Sequence, residues 1–293
     1  MSLPELMARI PQLAGVERRA AAVITERFAL PAVTRDGVEY LLLQPGKGLR
    51  PALAYAVAQA CGAHAAPAGV EAVALAAEMI HVGSLLHDDI VDGASLRRSL
   101  QAAHVAFDPT TAVLSGDVLV GAALRLVAED CGVAAVRATG RAFYALAGAQ
   151  AHETRLRGQL ATVEQARAIA RGKTGALFAW ICLSAACESG DERHAEVWWS
   201  WGEALGIAFQ MADDLNDRLG LREGKDVGLD AQRQTPSLVD TLRATDPAGD
   251  TLQQELAYWL ARVMSPPAEG PLLQLAIEAV VDRVQPALRV RAA

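Results

Sequence analysis

Six aspartates are the residues in this sequence best placed to do chemistry. Asp88, Asp89 and Asp92 close the run EMIHVGSLLHDDIVD, and Asp213, Asp214 and Asp217 close FQMADDLND at the same internal spacing. Each cluster follows apolar residues that recur at helical spacing. Residues i and i+4 of a helix share a face, so Asp88 and Asp92 point the same way, and like charges so placed destabilise a bare helix. A divalent cation removes that conflict, and hard carboxylate oxygens suit Mg2+ that also holds a substrate's phosphates. One DDxxD alone reads more simply as a solvated acidic helix end. Two copies, each closing an amphipathic helix, reverse that reading.

Cations stand at intervals that could answer the same anion. Lys47 and Arg50 lie three apart after a turn at a helix start, where backbone N–H groups already favour phosphate and arginine adds bidentate contacts. Arg97 and Arg98 follow the first acidic cluster directly, and His81 lies two helical turns before Asp88 on the same face. Lys173 and Thr174 open the otherwise apolar GALFAW helix, where a lysine without a partner would be costly. Gln150 and Glu153 share a helix face, although such residues usually meet water.

The elements that must position these groups are helical. Alanine and leucine dominate, β-branched alternation is scarce, and glycine and proline mark the breaks. The spacing predicts an all-α protein, one bundle over 1–293, because no polar linker separates two cores. ERRAAAVITERF reads as an amphipathic helix, and the first 44 residues carry no chemistry. Hydrophobic residues make up 52 % of 293. No segment is apolar and uncharged for the length of a membrane span, so no transmembrane segment is expected. The start, MSLPELMARIPQ, lacks the basic-then-apolar order of a secretory signal, and a cytoplasmic protein is expected. The net charge of −7 argues against nucleic acid. Cys61, Cys131, Cys182 and Cys187 have no metal spacing and read as small hydrophobes.

The chain resembles the trans-isoprenyl diphosphate synthases, or polyprenyl synthetases, from about Pro45 to about Leu238. The likeness rests on GKGLRP (Gly46–Pro51), LLHDDIVD (Leu85–Asp92), LRR (Leu96–Arg98), GKTGALF (Gly172–Phe178) and FQMADDLND (Phe209–Asp217), in the family's order. It implies an isoprenoid synthase-like bundle around a central cavity, assembled as a homodimer. The implied reaction joins an allylic prenyl diphosphate to isopentenyl diphosphate, with three Mg2+ ions held by the six aspartates. Lys47, Arg50, His81, Arg97 and Arg98 then match ligands of isopentenyl diphosphate; Lys173, Thr174, Gln210 and Lys225 match groups around the allylic diphosphate. Asp88, Asp92, Asp213 and Lys173 would carry catalysis. Asp117 of LSGDVLVGAAL reads as structural, and His104 matches a histidine found after the arginine pair.

Three departures stand out. Gly48 sits where long-chain members usually have arginine. SLQAAH replaces GxPTxH. Thr235, two residues after Arg233, takes the place of a second lysine expected after Asp230, which bears on lid closure.

Family members that stop at fifteen carbons often carry an aromatic residue four or five positions before the first aspartate. Here Gly83 and Ser84 stand there, and the wall runs on through Ile80, Ala77 and Ala76, so a product of twenty carbons or more is expected. Other readings stay open: a class I terpene cyclase, against which the second DDxxD-type motif argues; a regulatory subunit of a heteromeric synthase, which should have lost aspartates; and a purely structural bundle.

Overall fold

Leucine and alanine at helical spacing make this chain helical nearly throughout. The computed structural model describes residues 3–30, 32–44, 46–63, 67–218 and 236–289. In order run α1 (Leu3–Ala8), α2 (Val16–Ala22), α3 (Ala32–Leu42), α4 (Leu49–Ala60), α5 (Ala68–Asp92), α6 (Ala103–Ala106), α7 (Pro109–Asp130), α8 (Val133–Arg155), α9 (Val163–Ala170), α10 (Ala176–Glu188), α11 (Ala195–Arg218), α12 (Leu238–Thr245), α13 (Asp250–Val263) and α14 (Pro271–Arg289). The amphipathic segment near the N-terminus is α2 continued by a π-helical turn, Val23–Arg27. Two short strands, Leu96–Arg97 and Leu100–Gln101, pair antiparallel as a small hairpin.

The centre of the bundle is α10. Every residue from Ala176 to Ala186 is buried, and a helix apolar on all faces has no solvent side to offer. It packs on α4, α5, α8 and α11. Gly202 and Gly206 of α11 allow the closest of these approaches. A Cβ at Gly202 would lie 2.7 Å from the Phe178 carbonyl oxygen, and one at Gly206 2.7 Å from the Gly175 Cα. Trp180 and Trp198 are fully buried with their indole N–H groups donated to Thr139 (2.8 Å) and Asp191 (3.0 Å). Each therefore buries its ring without an orphaned donor. The buried apolar side chains join into one core cluster. All four cysteines are free thiols, Cys182 buried outright.

The expectation about membrane-length segments needs correcting. By length and composition, α5 and α7 are both long and apolar enough to cross a membrane. The few charged residues they contain hid this from a search for uncharged runs. In α5 the apolar stretch is spent on the interior, 78 % of it being buried; in α7 only 44 % is.

Helix ends decide where the acidic clusters stand. Gly93, left-handed at φ 54°, stops α5 and returns its N–H to the Ile90 carbonyl, as a glycine C-cap does. Asp88, Asp89 and Asp92 therefore occupy the last turns, where the helix dipole is itself negative. Cations have to come from elsewhere in the chain.

Candidate active site

A polar cavity of about 190 Å3 lies between the ends of α5 and α11. Asp88, Asp92, His81 and Ser84 of α5 line it, as do Gln210, Asp213 and Asp214 of α11, Glu153 of α8, Arg50 of α4, and Arg97, Lys173 and Thr174. The two clusters matched by spacing in the sequence thus face one space.

Not every aspartate faces it. Asp89 is 1 % exposed, and both its carboxylate oxygens accept from the Arg97 guanidinium, with Nε at 2.8 Å from Oδ1. Arg97, at the cavity wall, is thus the partner of Asp89 in this structure. Asp217 does not line the cavity. Among the described residues, no three histidine, cysteine or acidic side chains converge as a ready-made metal site. Four of the six aspartates stand at the wall as two pairs, Asp88 with Asp92 and Asp213 with Asp214, and Asp89 and Asp217 do not line it.

The hairpin explains why the two arginines part company. Arg98 and Ser99 both have positive φ, 51° and 65°, the conformation of a two-residue primed turn between strands. Arg97 goes to Asp89, while Arg98 turns inward. Its Nη1 donates to the Gln44 carbonyl at 2.6 Å, and its Nη2 lies 3.6 Å from Glu78. Arg98 does not line the cavity, contrary to expectation. Lys47 is exposed and also outside it, because the left-handed Gly48 that caps α4 turns the chain between Lys47 and Arg50. His104, on the short α6, is outside as well. Asp117 is exposed, 3.5 Å from His87 Nε2. Lys225, Arg233 and Thr235 lie outside the described residues.

Lys173 and Thr174 sit on a π-helical turn, Arg171–Gly175, inserted between α9 and α10. Such turns are rare and tend to occur at functional sites. Gly172 and Gly175 fit it between neighbours: a Cβ at Gly172 would lie 2.7 Å from the Ala145 carbonyl oxygen. Lys173 ion-pairs with Glu153. Burial works against its charge, but Glu153, Asp88 and Asp92 more than offset this and hold its pKa above the ordinary lysine value. Burial conversely pushes the carboxyls of Asp88 and Glu153 up, against the pull of Lys173. Negative charge here exceeds what the neighbouring cations neutralise. Thr174 Oγ1 donates to Gln210 Oε1 at 2.6 Å, and Gln210 Nε2 donates to Asp214 at 2.7 Å. This neutral relay reaches Asp214 of the second cluster.

Sequence reasoning missed Arg157, which ion-pairs with Asp92 and donates to the Val91 carbonyl at 2.9 Å. It stands in the turn just after α8 ends at Arg155, where no helical spacing marks it. It also missed Arg283 of α14, 3.1 Å from Asp213 and stacked 4.7 Å from the centre of the Phe209 ring; no motif marks that helix.

A second cavity, about 660 Å3 and mostly apolar, lies beside the first and shares Ser84 and Asp88 with it. Its wall includes Ile80, Val120, Phe143, Leu146 and Gln150. Gly83 does not belong to it. One helical step from Ser84, it faces α7, where a Cβ would lie 3.1 Å from the Gly116 carbonyl oxygen. Ala76 and Ala77 are fully buried and also off the wall.

Residues 31–260 match the family model for polyprenyl synthetase. The chain belongs to that family. It is 34 % identical to the geranylgeranyl diphosphate synthase of Rhodobacter capsulatus over 84 % of this chain and 86 % of that one. It is 32 % identical to the farnesyl diphosphate synthase of Haemophilus influenzae over 76 % and 81 %. A crystal structure of polyprenyl synthase from Caulobacter crescentus, complexed with calcium and isoprenyl diphosphate, superposes over 99 % of this chain and 88 % of that chain with a TM-score of 0.77 at 28 % identity. As a polyprenyl synthetase, the protein is a prenyltransferase with the family's helical fold.

Proposed function

We propose that this polyprenyl synthetase joins isopentenyl diphosphate to an allylic prenyl diphosphate with Mg2+, as a homodimer, and releases a product of twenty carbons or more. The observation that carries this reading is the pair of adjacent cavities, one acidic and cationic, the other apolar, with Asp88 and Ser84 in the walls of both.

The donor set fits the metal. Asp88 and Asp92 face Asp213 and Asp214 across a space with excess negative charge, and carboxylates in ones and twos plus substrate phosphates are how Mg2+ is commonly held. The calcium and isoprenyl diphosphate in the Caulobacter protein support the same assignment. Bound there, Mg2+ would supply charge to a departing diphosphate.

This chain's own groups do the rest. Lys173 and Arg50 reach the cavity and would bind diphosphate oxygens, Lys173 by exchanging its Glu153 partner for phosphate. The allylic C–O bond breaks toward the diphosphate, and the isopentenyl double bond makes the new C–C bond. A proton then leaves to the released diphosphate. The apolar cavity beside Asp88 would take up the chain, with Ser84 at its boundary with the polar cavity and Ile80, Phe143 and Leu146 along its wall. The outer face of α7 exposes Val113, Leu114 and Leu124, beside Val105 and Phe107; an apolar patch of this kind suits a large obligate interface.

Incubation of the purified protein with Mg2+, isopentenyl diphosphate and each allylic starter in turn tests the reading by product length. A product longer than fifteen carbons is expected, and Ser84→Phe should shorten it by at least one isoprene unit. A fifteen-carbon product unchanged by Ser84→Phe would refute the chain-length part, and no condensation with any starter would refute the whole. Sedimentation at micromolar concentration should show a dimer.

A further inference from the structure

The π-helical turn Arg171–Gly175 divides its residues between two cavities. Lys173 and Thr174 line the acidic one, whereas Arg171 and Gly172 line a further cavity of about 360 Å3 between α8, the turn and α11. This groove shares no wall residue with the acidic or the apolar cavity. Its volume is that of a small-molecule pocket, roughly 300–1,000 Å3.

The wall suits an anion. The Arg141 guanidinium lies 3.7 Å from the centre of the Trp199 ring and donates to both oxygens of Glu196, at 2.8 and 2.9 Å. Arg171 Nε stands 3.1 Å from Glu203. Within the wall itself two arginines and His152 face one carboxylate, Glu203, although the chain as a whole carries a net charge of −7. Both ion pairs are partly exposed, and such pairs contribute little. A phosphate can therefore replace either carboxylate, with the geometry that arginine forks favour. Trp199 and the alanines of α8 supply apolar surface for the rest of a ligand. Gly148 leaves the space open. A Cβ there would meet nothing within 4 Å, so no packing in the chain demands a glycine that a helix interior disfavours.

Glu203 ties this groove to the turn at both ends. It pairs with Arg171, the first residue of the turn, and packs on Gly175, the last, where a Cβ would lie 3.3 Å from Glu203 Cγ. An anion that takes Arg171 from Glu203 undoes one end of that strap, two residues from Lys173.

We propose that the groove is a regulatory site for a small organic phosphate, a phosphate monoester on a compact apolar body. Its phosphate binds Arg171 and Arg141, Arg171 leaves Glu203, and the turn then holds Lys173 and Thr174 less firmly in the acidic cavity. The ligand weakens diphosphate binding there without entering it. The binding stands by itself; its kinetic effect rests on the condensation proposed above.

Phenyl phosphate and inorganic phosphate are the probes, titrated calorimetrically into wild type, Gly148→Leu and Arg171→Ala, with and without saturating Mg2+ and inorganic diphosphate. Phenyl phosphate should still bind the diphosphate-loaded wild type, about fivefold more weakly than the unloaded protein, because coupling between sites is reciprocal. It should bind about tenfold more tightly than inorganic phosphate, which lacks the apolar body. Gly148→Leu fills the groove and should remove this binding while its melting temperature and unliganded turnover match wild type. Arg171→Ala should weaken it about tenfold. In steady-state assays, phenyl phosphate should raise the allylic KM to a plateau in wild type and leave Gly148→Leu unaffected.

No binding to the diphosphate-loaded wild type, or undiminished binding by folded Gly148→Leu, overturns the site. If Gly148→Leu does not melt cooperatively, undiminished binding by Arg171→Ala overturns it instead. Diphosphate affinity unchanged by phenyl phosphate, or inhibition that rises without a plateau, overturns the coupling. A wild type that condenses nothing refutes the reaction proposed above, and the calorimetry still judges the groove.

Discussion

At the end of α5, Asp89 is sealed by Arg97, Asp92 is held by Arg157, and Asp88 lies close to Lys173. On α11, Asp214 instead accepts from the Gln210 amide, itself fixed by Thr174, while the Arg283 guanidinium stands 3.1 Å from Asp213. The same DDxxD spacing thus meets arginine ion pairs at Asp89 and Asp92 on one wall, whereas on the other Asp214 accepts from a neutral amide and Asp213 stands beside Arg283. The α5 cluster sits in the last turns of its helix, where the dipole adds to the repulsion, and takes several cations from loops and neighbouring helices. The lesson is that equal motifs need not have equal roles position by position: the middle aspartate is a structural anchor in the first cluster and a wall residue in the second.

The largest effect should come from that middle position. Asp89→Ala strands a buried guanidinium and should cost about 3–5 kcal/mol in urea denaturation. Asp214→Ala, the matching change, removes the hydrogen bond from the Gln210 amide, a contribution of about 1 kcal/mol, and should cost less than Asp89→Ala. Equal costs would break the comparison. The outer positions should reverse the pattern. Asp88→Ala and Asp213→Ala should each lower kcat by about 10²–10³-fold or more, with the helical fold intact.

Smaller effects sharpen the contrast between relay and ion pair. Thr174→Val cuts the relay to Asp214 and should raise the allylic KM about three- to tenfold. Arg157→Gln loses a partly exposed ion pair, which should cost under about 1 kcal/mol. By removing a cation from Asp92, it should also lower the half-saturating Mg2+ concentration about twofold. A rise in that concentration would mean that Arg157 assists the metal rather than competing with it.

The helical fold and the two acidic clusters were legible because both rest on spacing within single segments. Lys173 and Thr174 stood out as a cation and a hydroxyl on an apolar helix, whereas Gln210 came only with the family resemblance. Arg98 was misplaced because its direction is set by two positive-φ residues in a turn that sequence spacing does not reveal. Gly83 was put on the chain-length wall because positions four and five before an aspartate look alike in a list, whereas on the helix they are a large rotation apart and only Ser84 shares a face with Asp88. Phe143, Leu146 and Arg283 could not be read at all: they reach the site by the packing of α8 and α14, which no local pattern encodes.

The π-helical turn at Arg171–Gly175 has one more implication. It holds one residue more than an α-helical turn would, and each residue of a regular helix turns its successors by about 100°. Deleting one residue there could let α9 run into α10 as ordinary helix, with better backbone geometry, while swinging Lys173 or Thr174 away from the aspartates. Regularity and usefulness are opposed at this point of the chain. A search that rewarded only thermal robustness would drift toward the shorter form and arrive at a sturdier protein with no catalyst in it.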